Sequence, residues 1–188
     1  MSEAVDRLHE TLRLSSRQDF ATAVETISSA TETYAFGLGL SGGVAQYLVT
    51  RLNRLGCRAH DISGSGFHLA DRLLPLSTGS CIVIYAPGRR LAEHDLLLDR
   101  AAATGARTVL VTDSLGPQIG DRVNACLAAA SSPSGSTSEF LSSLIVTDAL
   151  LLAVAAHHEE SADSTSELLT TMREKLTPES RRRRKHDT

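Results

Sequence analysis

Two short, continuously apolar runs constrain the fold of this chain more than any other feature. They are Ser80–Ala86 (SCIVIYA) and Thr108–Thr112 (TVLVT). A strand without alternating polar residues has both faces covered, which is typical of a parallel sheet packed between helices. Parallel neighbours also need a crossover, usually a helix, between them. The two runs therefore predict an α/β fold with a buried parallel sheet.

The rest of the chain repeats this order of strand, turn and helix. Three further short apolar runs predict strands at Tyr34–Leu38, Arg58–Ile62 and Asn124–Ala129. Apolar spacings of three and four predict helices at residues 5–12, 20–27, 44–55, 67–74, 91–104, 138–157 and 164–176, with breaks at 15–19 and 158–163. Gly56 and Gly105 follow two of these helices directly, where a left-handed cap is common. The expected architecture is a three-layer α/β/α sandwich with a five-stranded, parallel, doubly wound sheet.

Charge excludes nucleic acid as a partner for most of the chain. The net charge is −3, but residues 181–188 (RRRRKHDT) carry +4, so the other 180 residues sum to −7. Such a body has no electrostatic footprint for nucleic acid. We expect residues 177–188 to form a disordered, solvated basic tail. Contact of its Arg181–Lys185 run with nucleic acid or another acidic partner, through charge alone, is the weaker alternative.

The remaining composition predicts a cytoplasmic protein without a metal or a dissociable cofactor. The first residues, MSEAVDRLHE, are charged rather than apolar, and the longest apolar run, Ala149–Ala156, is too short to cross a bilayer. Cys57, Cys81 and Cys126 lie far apart, without the spacing of a zinc site, so we expect them to be core residues.

Ligands of doubly wound sheets bind at the carboxyl ends of the strands, so the loops there matter most. The first of them is Gly37–Gly43 (GLGLSGG). Its glycines let the backbone approach a ligand, and the N-terminus of the following helix favours phosphate. Ser41 would add a hydroxyl donor or cap the helix. A tight turn without a ligand is the alternative, and a dinucleotide site is a weaker one, because only Asp61 is placed to bind a ribose.

This loop and its surroundings resemble the sugar isomerase (SIS) domains, most closely the effector domains of RpiR-type transcriptional regulators. The resemblance covers residues 17–157 and rests on four segments: YAFGLGLSGGVAQYLVTRLNRLG, GFHLADRLL, SCIVIYAPGRR and AAATGARTVLVTDS. It implies a flavodoxin-like strand order and a phosphorylated sugar or amino sugar as ligand. It also implies a homodimer or a higher oligomer, for which the apolar faces of the first two helices (Leu8, Leu12, Phe20, Val24) are candidates; packing in the monomer core is their alternative use.

The second loop departs from the SIS pattern. In that family, the hydroxyls of a Ser-x-Ser-Gly-x-Thr motif hold the phosphate, whereas residues 85–90 of this chain read YAPGRR. Only Gly88 remains, and Pro87 has no N–H to offer. Arg89 and Arg90 would replace the hydroxyls by charge-assisted hydrogen bonds to the phosphate. A shifted or decayed site is the alternative. The expected ligand-binding residues are Gly39, Ser41, Gly42, Gly43, His68, Gly88, Arg89, Arg90 and Ser114.

The sequence does not compel an acid–base pair, so we expect a binding domain rather than an enzyme. Isomerisation needs a base near the proton it removes. The candidates are His68, Glu93 and Glu139, together with His94, which we expect to form a solvated surface pair with Glu93. Phosphosugar isomerase is the second hypothesis, and a ligand-free dimerisation module is the third.

The chain divides into N-terminal helices (1–32), a SIS domain (33–176) and the tail (177–188). The helices before Thr33 are too few and not basic enough to read DNA. The expected function is therefore that of a regulator's sensor half, which would reach DNA only through a domain outside this sequence or, weakly, through the tail. No membrane contact is expected.

Overall fold

The structure is a computed structural model that describes residues 2–131 and 140–176 of the 188. It confirms the predicted α/β fold: a five-stranded parallel sheet with the order β2-β1-β3-β4-β5. The strands are β1 (Glu32–Gly37), β2 (Ala59–Asp61), β3 (Ser80–Tyr85), β4 (Arg107–Thr112) and β5 (Ala125–Ala128). The strand order changes direction at β1, which pairs with both β2 and β3. This topological switch point is where doubly wound sheets bind their ligands.

Among the described residues, eight helices cover the two faces of the sheet and its rim. They are α1 (Ser2–Leu14), α2 (Arg17–Ser28), α3 (Leu40–Arg54), α4 (Gly66–Arg72), α5 (Ala92–Thr104), α6 (Gly116–Ile119), α7 (Phe140–Ala155) and α8 (Glu159–Leu176). Gly56 and Gly105 have φ values of +80° and +73°, which confirms the left-handed ends predicted for α3 and α5. The predicted Glu139, the Ser-rich residues 132–137 and the tail lie outside the described residues.

The core has two halves because successive residues of a strand point to opposite faces of the sheet. Cys81, Val83 and Tyr85 of β3 pack with α2, α3 and α7. Ile82 and Ile84 pack with α4, α5 and α6 on the other face. All six residues of β3 are buried, as its unbroken apolar sequence predicted. Cys81 is fully buried, whereas Cys57 and Cys126 are half-buried.

Several helix ends differ from the sequence prediction, and one short helix was not predicted. Residues 17–19 belong to α2, because the hydroxyl of Ser16 accepts a hydrogen bond from the Asp19 N–H (3.2 Å) and caps the helix at Arg17. The predicted break at 158–163 is short, since α8 already begins at Glu159. The short helix α6 was not predicted; it has only four residues and contains Pro117 at its start. The first two are errors of helix ends, where the sequence pattern is weakest.

The N-terminal helices contact the sheet domain directly. The Thr11 hydroxyl of α1 accepts a hydrogen bond from the Ala130 N–H (3.1 Å), and the Ser142 hydroxyl of α7 donates to the Ala130 carbonyl (2.7 Å). Both backbone groups that follow β5 are thereby satisfied by side chains. No single helix among the described residues is long and apolar enough to span a membrane. Only α7 and α8 taken together meet that test, and they are bent by 105°.

Candidate ligand site at the carboxyl edge of the sheet

The pairing of the strands brings four loops to one edge. Gly37, the last residue of β1, lies opposite Tyr85, the last residue of β3. The loop after β2 lies on one side of this pair, and the loop after β4 lies on the other. Adjacent strands are about 4.8 Å apart, so residues 37–43 (the first loop) and 86–91 (the second loop) are neighbours at the switch point.

Close backbone packing determines the shape of the first loop. A Cβ on Gly37 would lie 2.4 Å from the Ser41 carbonyl oxygen, so a side chain does not fit there. Gly39 has a φ of +58°, in the region that favours glycine, and α3 begins at the next residue. The chain therefore turns from strand to helix within two residues. Ser41 lies in the first turn of the helix, half-buried, and its hydroxyl makes no hydrogen bond to another described residue.

The other two glycines of this loop have different surroundings. Gly42 lies against the first loop itself, since a Cβ there would be 3.2 Å from the Gly37 carbonyl oxygen. Its N–H donates to the Gly39 carbonyl at 3.2 Å. Gly43 instead provides space for α7, because a Cβ there would be 3.4 Å from the ring of Phe140. The glycines at 37, 39 and 42 thus shape the loop, and Gly43 shapes the packing behind it.

Ser63 belongs to this edge, although the sequence analysis did not single it out. Its hydroxyl accepts a hydrogen bond from the Gly37 N–H (3.2 Å), and its own N–H donates to Asp61 Oδ1 (2.8 Å). These bonds join the loop after β2 to the first loop. The glycine–serine stretch Ser63–Gly66 has a composition similar to that of the first loop, and that composition is the signal in the sequence that marks it.

His68 lies on the same side of the edge, in the first turn of α4. Its ring approaches the backbone after β2: Cδ2 is 3.5 Å from the position that a Cβ on Gly64 would take. The side chain is exposed and makes no hydrogen bond to another described residue. His68 is therefore open to a ligand bound above β1 and β2.

The loop after β4 fixes the second loop from the other side. The carbonyl of Pro87 accepts hydrogen bonds from the N–H groups of Asp113 (3.1 Å) and Ser114 (3.3 Å). Gly88 and Ser114, predicted to share the site, lie close together: a Cβ on Gly88 would be 3.9 Å from the Ser114 hydroxyl. The Asp113 carboxylate in turn accepts two hydrogen bonds from Ser131. The Ser131 N–H donates to Oδ1 (3.2 Å), and the Ser131 hydroxyl donates to Oδ2 (2.5 Å).

The two arginines of the second loop have different surroundings. Arg90 donates to the Asp95 carboxylate of α5, with Nη2 2.6 Å from Oδ1. Asp95 also binds Arg122 (2.9 Å), whose other terminal nitrogen lies 2.6 Å from Asp99. The hydrogen bond from Arg90 is the largest cause that holds the pKa of the Asp95 carboxyl below its ordinary value. Arg89 is exposed and makes no ion pair with a described residue. Of the two arginines, Arg89 is thus the one without a counter-ion among the described residues.

His94 is buried, which corrects the expectation of a solvated surface pair with Glu93. It is 3% exposed, and its ring meets Phe36 edge to face at 5.9 Å between centroids. Its Nδ1 accepts a hydrogen bond from the Leu91 N–H (3.2 Å) and so holds the start of α5. Burial lowers the pKa of His94, which keeps the ring neutral. Glu93 is half-buried in the same turn, without an ion pair to a described residue.

Tyr85 occupies the first serine position of the SIS motif and points away from the edge. Its side chain is 1% exposed. Its hydroxyl lies 2.7 Å from the Thr147 hydroxyl, which itself donates to the Ser143 carbonyl (2.7 Å). Tyr85 is therefore the donor of the pair, and burial raises the pKa of its phenol. It connects β3 to α7 and has no access to a ligand.

The fold and the edge together define a doubly wound α/β domain with a glycine-rich helix entry at its switch point. The chain belongs to the SIS domain family, whose model matches residues 26–153. Among the described residues, no cluster of His, Cys, Asp and Glu is placed to hold a metal ion.

Several solved structures share this fold. The sugar isomerase domain of an RpiR transcription factor from Sphaerobacter thermophilus is 25% identical, with a TM-score of 0.83, over 90% of this chain and 95% of that one. The NanR protein of Vibrio vulnificus, complexed with ManNAc-6P, is 23% identical with a TM-score of 0.73. This match covers 91% of this chain and 67% of the NanR chain. Phosphoheptose isomerase GmhA from Neisseria gonorrhoeae is 14% identical with a TM-score of 0.69. This match covers 82% of this chain and 94% of the GmhA chain. No curated protein sequence matches the chain.

Proposed function

We propose that this chain binds a phosphorylated sugar at the carboxyl edge of its sheet, as the sensor domain of an RpiR-type transcriptional regulator. The observation that carries the proposal is the first loop. It turns into α3 without a side chain at Gly37, and it leaves the Ser41 hydroxyl free at the start of a 15-residue helix. The dipole at such a helix start favours a phosphate, and the Ser41 hydroxyl can donate a hydrogen bond to it.

The surrounding residues divide into a phosphate side and a sugar side. Ser41 and the first turn of α3 would bind the phosphate, and Arg89 would add a positive charge from the second loop. Ser114 and Gly88 would line the wall beside β4, with the Ser114 hydroxyl free of other described residues. Ser63 and His68 would face the sugar from the side of β2. Arg90 contributes by holding the loop to α5 through Asp95 rather than by contacting the ligand.

Among the described residues, the surroundings of the candidate bases favour a sensor role over turnover. His94 is committed to the backbone of Leu91 and to Phe36. His68 and Glu93 are exposed or half-buried on different helices and form no pair. The similarity to the domain named as part of an RpiR transcription factor, and to a NanR protein complexed with ManNAc-6P, also supports a regulator's ligand domain.

The proposal is tested by thermal-shift titration of the full chain. The probes are N-acetylmannosamine 6-phosphate and arabinose 5-phosphate, each with its unphosphorylated sugar as control. A ligand at 100 times its Kd stabilises the folded state by about 2.7 kcal/mol. We expect at least one phosphorylated probe to raise the Tm and its unphosphorylated control to have no effect. No shift with any sugar phosphate, from a chain that melts cooperatively, would favour the ligand-free dimerisation module.

Variants then locate the site and separate binding from turnover. We expect S41A and R89A to reduce the shift produced by the active probe. R54A is the matched control, because Arg54 is an exposed arginine at the far end of α3. Incubation of the active probe with the protein, followed by NMR, distinguishes a sensor from an isomerase: a sensor leaves the sugar unchanged. Equal losses in R89A and R54A would contradict the proposed site.

We also propose that the domain forms a homodimer through α1 and α7. An apolar groove of about 650 Å³ lies between α1, α2, β5 and α7, and Leu12 beside it is 69% exposed. The helix α7 is apolar on nearly all sides, as helices that are buried all round are. In contrast, Val24 of α2 is buried in the monomer core, so α2 contributes less to such an interface than α1. Sedimentation of L12E against wild type tests this interface; an L12E variant that associates as strongly as wild type contradicts it.

A further inference from the structure

The last helix, α8, exposes a row of apolar side chains that no described element covers. Leu168, Met172 and Leu176 are spaced by four residues and therefore lie on one face of the helix. Their exposed fractions are 58%, 46% and 69%. None of the 18 residues of α8 is buried. A helix of this length is marginal alone in water, because helices in proteins derive most of their stability from packing one face.

The body of the domain holds mainly the first turns of α8. The Ser161 hydroxyl donates to the Leu55 carbonyl (2.9 Å), and Ser161 fills the space left by the absent side chain of Gly56. Just before the helix, His158 Nε2 lies 3.1 Å from the Ser28 carbonyl oxygen. Beyond this point, α3 faces the row with Thr50, Asn53 and Arg54, which are polar and exposed, across a cavity of about 380 Å³. Among residues 2–131 and 140–176, the apolar row thus has no apolar counterpart on α3.

The two halves of α8 carry opposite charge. Residues 159–167 contain three Glu and one Asp and no basic residue. Residues 168–176 contain Arg173 and Lys175 against one Glu. Two copies of such a helix attract each other when they run antiparallel and repel when they run parallel. Helices of this kind therefore complement a second copy of themselves.

We propose that α8 pairs antiparallel with α8 of a second copy across a two-fold axis near Leu168. Lys175 and Glu160 lie seven and eight residues on either side of Leu168. Around the helix axis the two side chains lie about 60° apart and on the same side of Leu168, since 15 residues correspond to about 4.2 turns of helix. The pairing therefore brings Lys175 close to Glu160 of the partner subunit and Leu168 close to the partner's Leu168. Such an isologous contact is self-complementary and closed.

The contact is separate from the sugar-phosphate site and from the groove beside α1. It uses only α8 and the adjacent face of α3, so it exists whether or not a ligand binds. It also provides a second association surface on the same chain. If both surfaces are used, the chain assembles beyond a dimer, and each surface can be removed alone.

Site-specific cross-linking tests the pairing directly. The experiment uses the full chain with serine in place of the half-buried Cys57 and Cys126, and a short bismaleimide. L168C places a thiol at the proposed axis, and S166C places one on the opposite side of the same helix as the matched control. Because paired thiols have an effective concentration in the millimolar range, we expect L168C to form covalent dimers at least about tenfold faster than S166C at micromolar protein. Equal rates, or no dimer from either variant, overturn the proposal.

A charge exchange tests the antiparallel direction. We expect K175E and E160K each to weaken the association, measured by sedimentation in low salt, and the double variant K175E/E160K to restore it. Both residues are exposed, so the variants leave the fold intact, which a thermal melt confirms. A double variant that associates as weakly as the single variants overturns the proposed orientation. A smaller assembly in L12E than in wild type, with unchanged cross-linking of L168C, shows that the two surfaces are independent and supports the proposal.

Discussion

The first and second loops lie side by side at the same edge, yet they are held in shape by different means. Backbone packing shapes the first loop: Gly37 lies against the Ser41 carbonyl, and Gly39 takes a positive φ. Contacts with neighbouring elements shape the second loop, through Asp113 and Ser114 at Pro87, His94 at Leu91 and Asp95 at Arg90. Gly88 is open and has no positive φ, so nothing in the backbone requires a glycine there.

This difference explains how the second loop can lack the hydroxyls of the SIS motif and still keep a defined backbone conformation. Its ends are fixed from outside by bonds that do not depend on serine or threonine at positions 85, 87 and 90. The position that would hold the first serine is taken by a tyrosine that packs into the core. The first loop has no such freedom, because its own backbone makes the contacts. Ligand chemistry is therefore expected to vary in the second loop and to persist in the first.

The largest effect is expected from Tyr85→Ser, which restores the serine of the SIS motif. It removes a fully buried ring and leaves a cavity between β3 and α7, at a cost of about 3–5 kcal/mol by analogy with other large-to-small aromatic substitutions. Tyr85→Phe is the control: it removes only the hydrogen bond to Thr147 and should cost about 1 kcal/mol. Denaturant unfolding measures both. A stable Y85S variant would show that the tyrosine is dispensable and that the second loop was free to keep its serine.

Substitution of one glycine in each loop compares the loops directly. Gly37→Ala places a Cβ 2.4 Å from a backbone carbonyl oxygen and should cost about 1–3 kcal/mol through the shift it forces. Gly88→Ala meets only the Ser114 hydroxyl, at 3.9 Å, and should leave the Tm unchanged or slightly raised. Thermal melts of the two variants beside wild type measure the difference. Similar Tm values would contradict the view that backbone packing holds only the first loop.

The sequence predicted the parts of this fold that local pattern determines. The unbroken apolar runs at β3 and β4 fixed the class of sheet, and glycine after α3 and α5 marked two helix ends. Ser63 was missed because its bond to Gly37 depends on the pairing of β2 with β1, which is not visible in either segment alone. The bond of Arg90 to Asp95 spans five residues from a loop into a helix, a spacing for which no pattern exists.

His94 was predicted wrongly although the sequence carries a signal for it. Positions 94, 97, 98 and 101 form the buried stripe of α5, with the spacing of a core-facing helix side. A histidine on that stripe looks like a polar surface residue only if its neighbour Glu93 is given more weight than Leu97 and Leu98. Its burial depends on Phe36, which lies on β1 and packs against its ring. The candidate site is therefore predictable as an edge of the sheet, and its individual contacts are not.

The pH dependence of stability tests how His94 holds the second loop. Because the folded pKa of His94 lies below its unfolded value of about 6.5, protons bind preferentially to the unfolded chain. Stability is thus fully present above that value and declines as the pH falls through it towards the folded pKa. We expect His94→Gln, whose amide oxygen can still accept from Leu91, to lose less stability between pH 7 and pH 5 than wild type. Parallel pH profiles of the two proteins would contradict a buried, neutral His94.

The smallest effect is expected at the tether between Arg90 and Asp95, since both side chains are exposed and surface ion pairs contribute little to stability. R90A and D95A should therefore each lower the Tm only slightly. The double variant R90A/D95A should lower the Tm no further than whichever single variant lowers it more, because both single variants already lose the ion pair between Arg90 and Asp95. The coupling should disappear at high salt, where charges are screened over a few ångströms. R89A with D95A is the matched control and should show no coupling. Coupling of Asp95 to Arg89 instead would mean that the two arginines exchange roles, and then Arg90 would be the cation available to a phosphate.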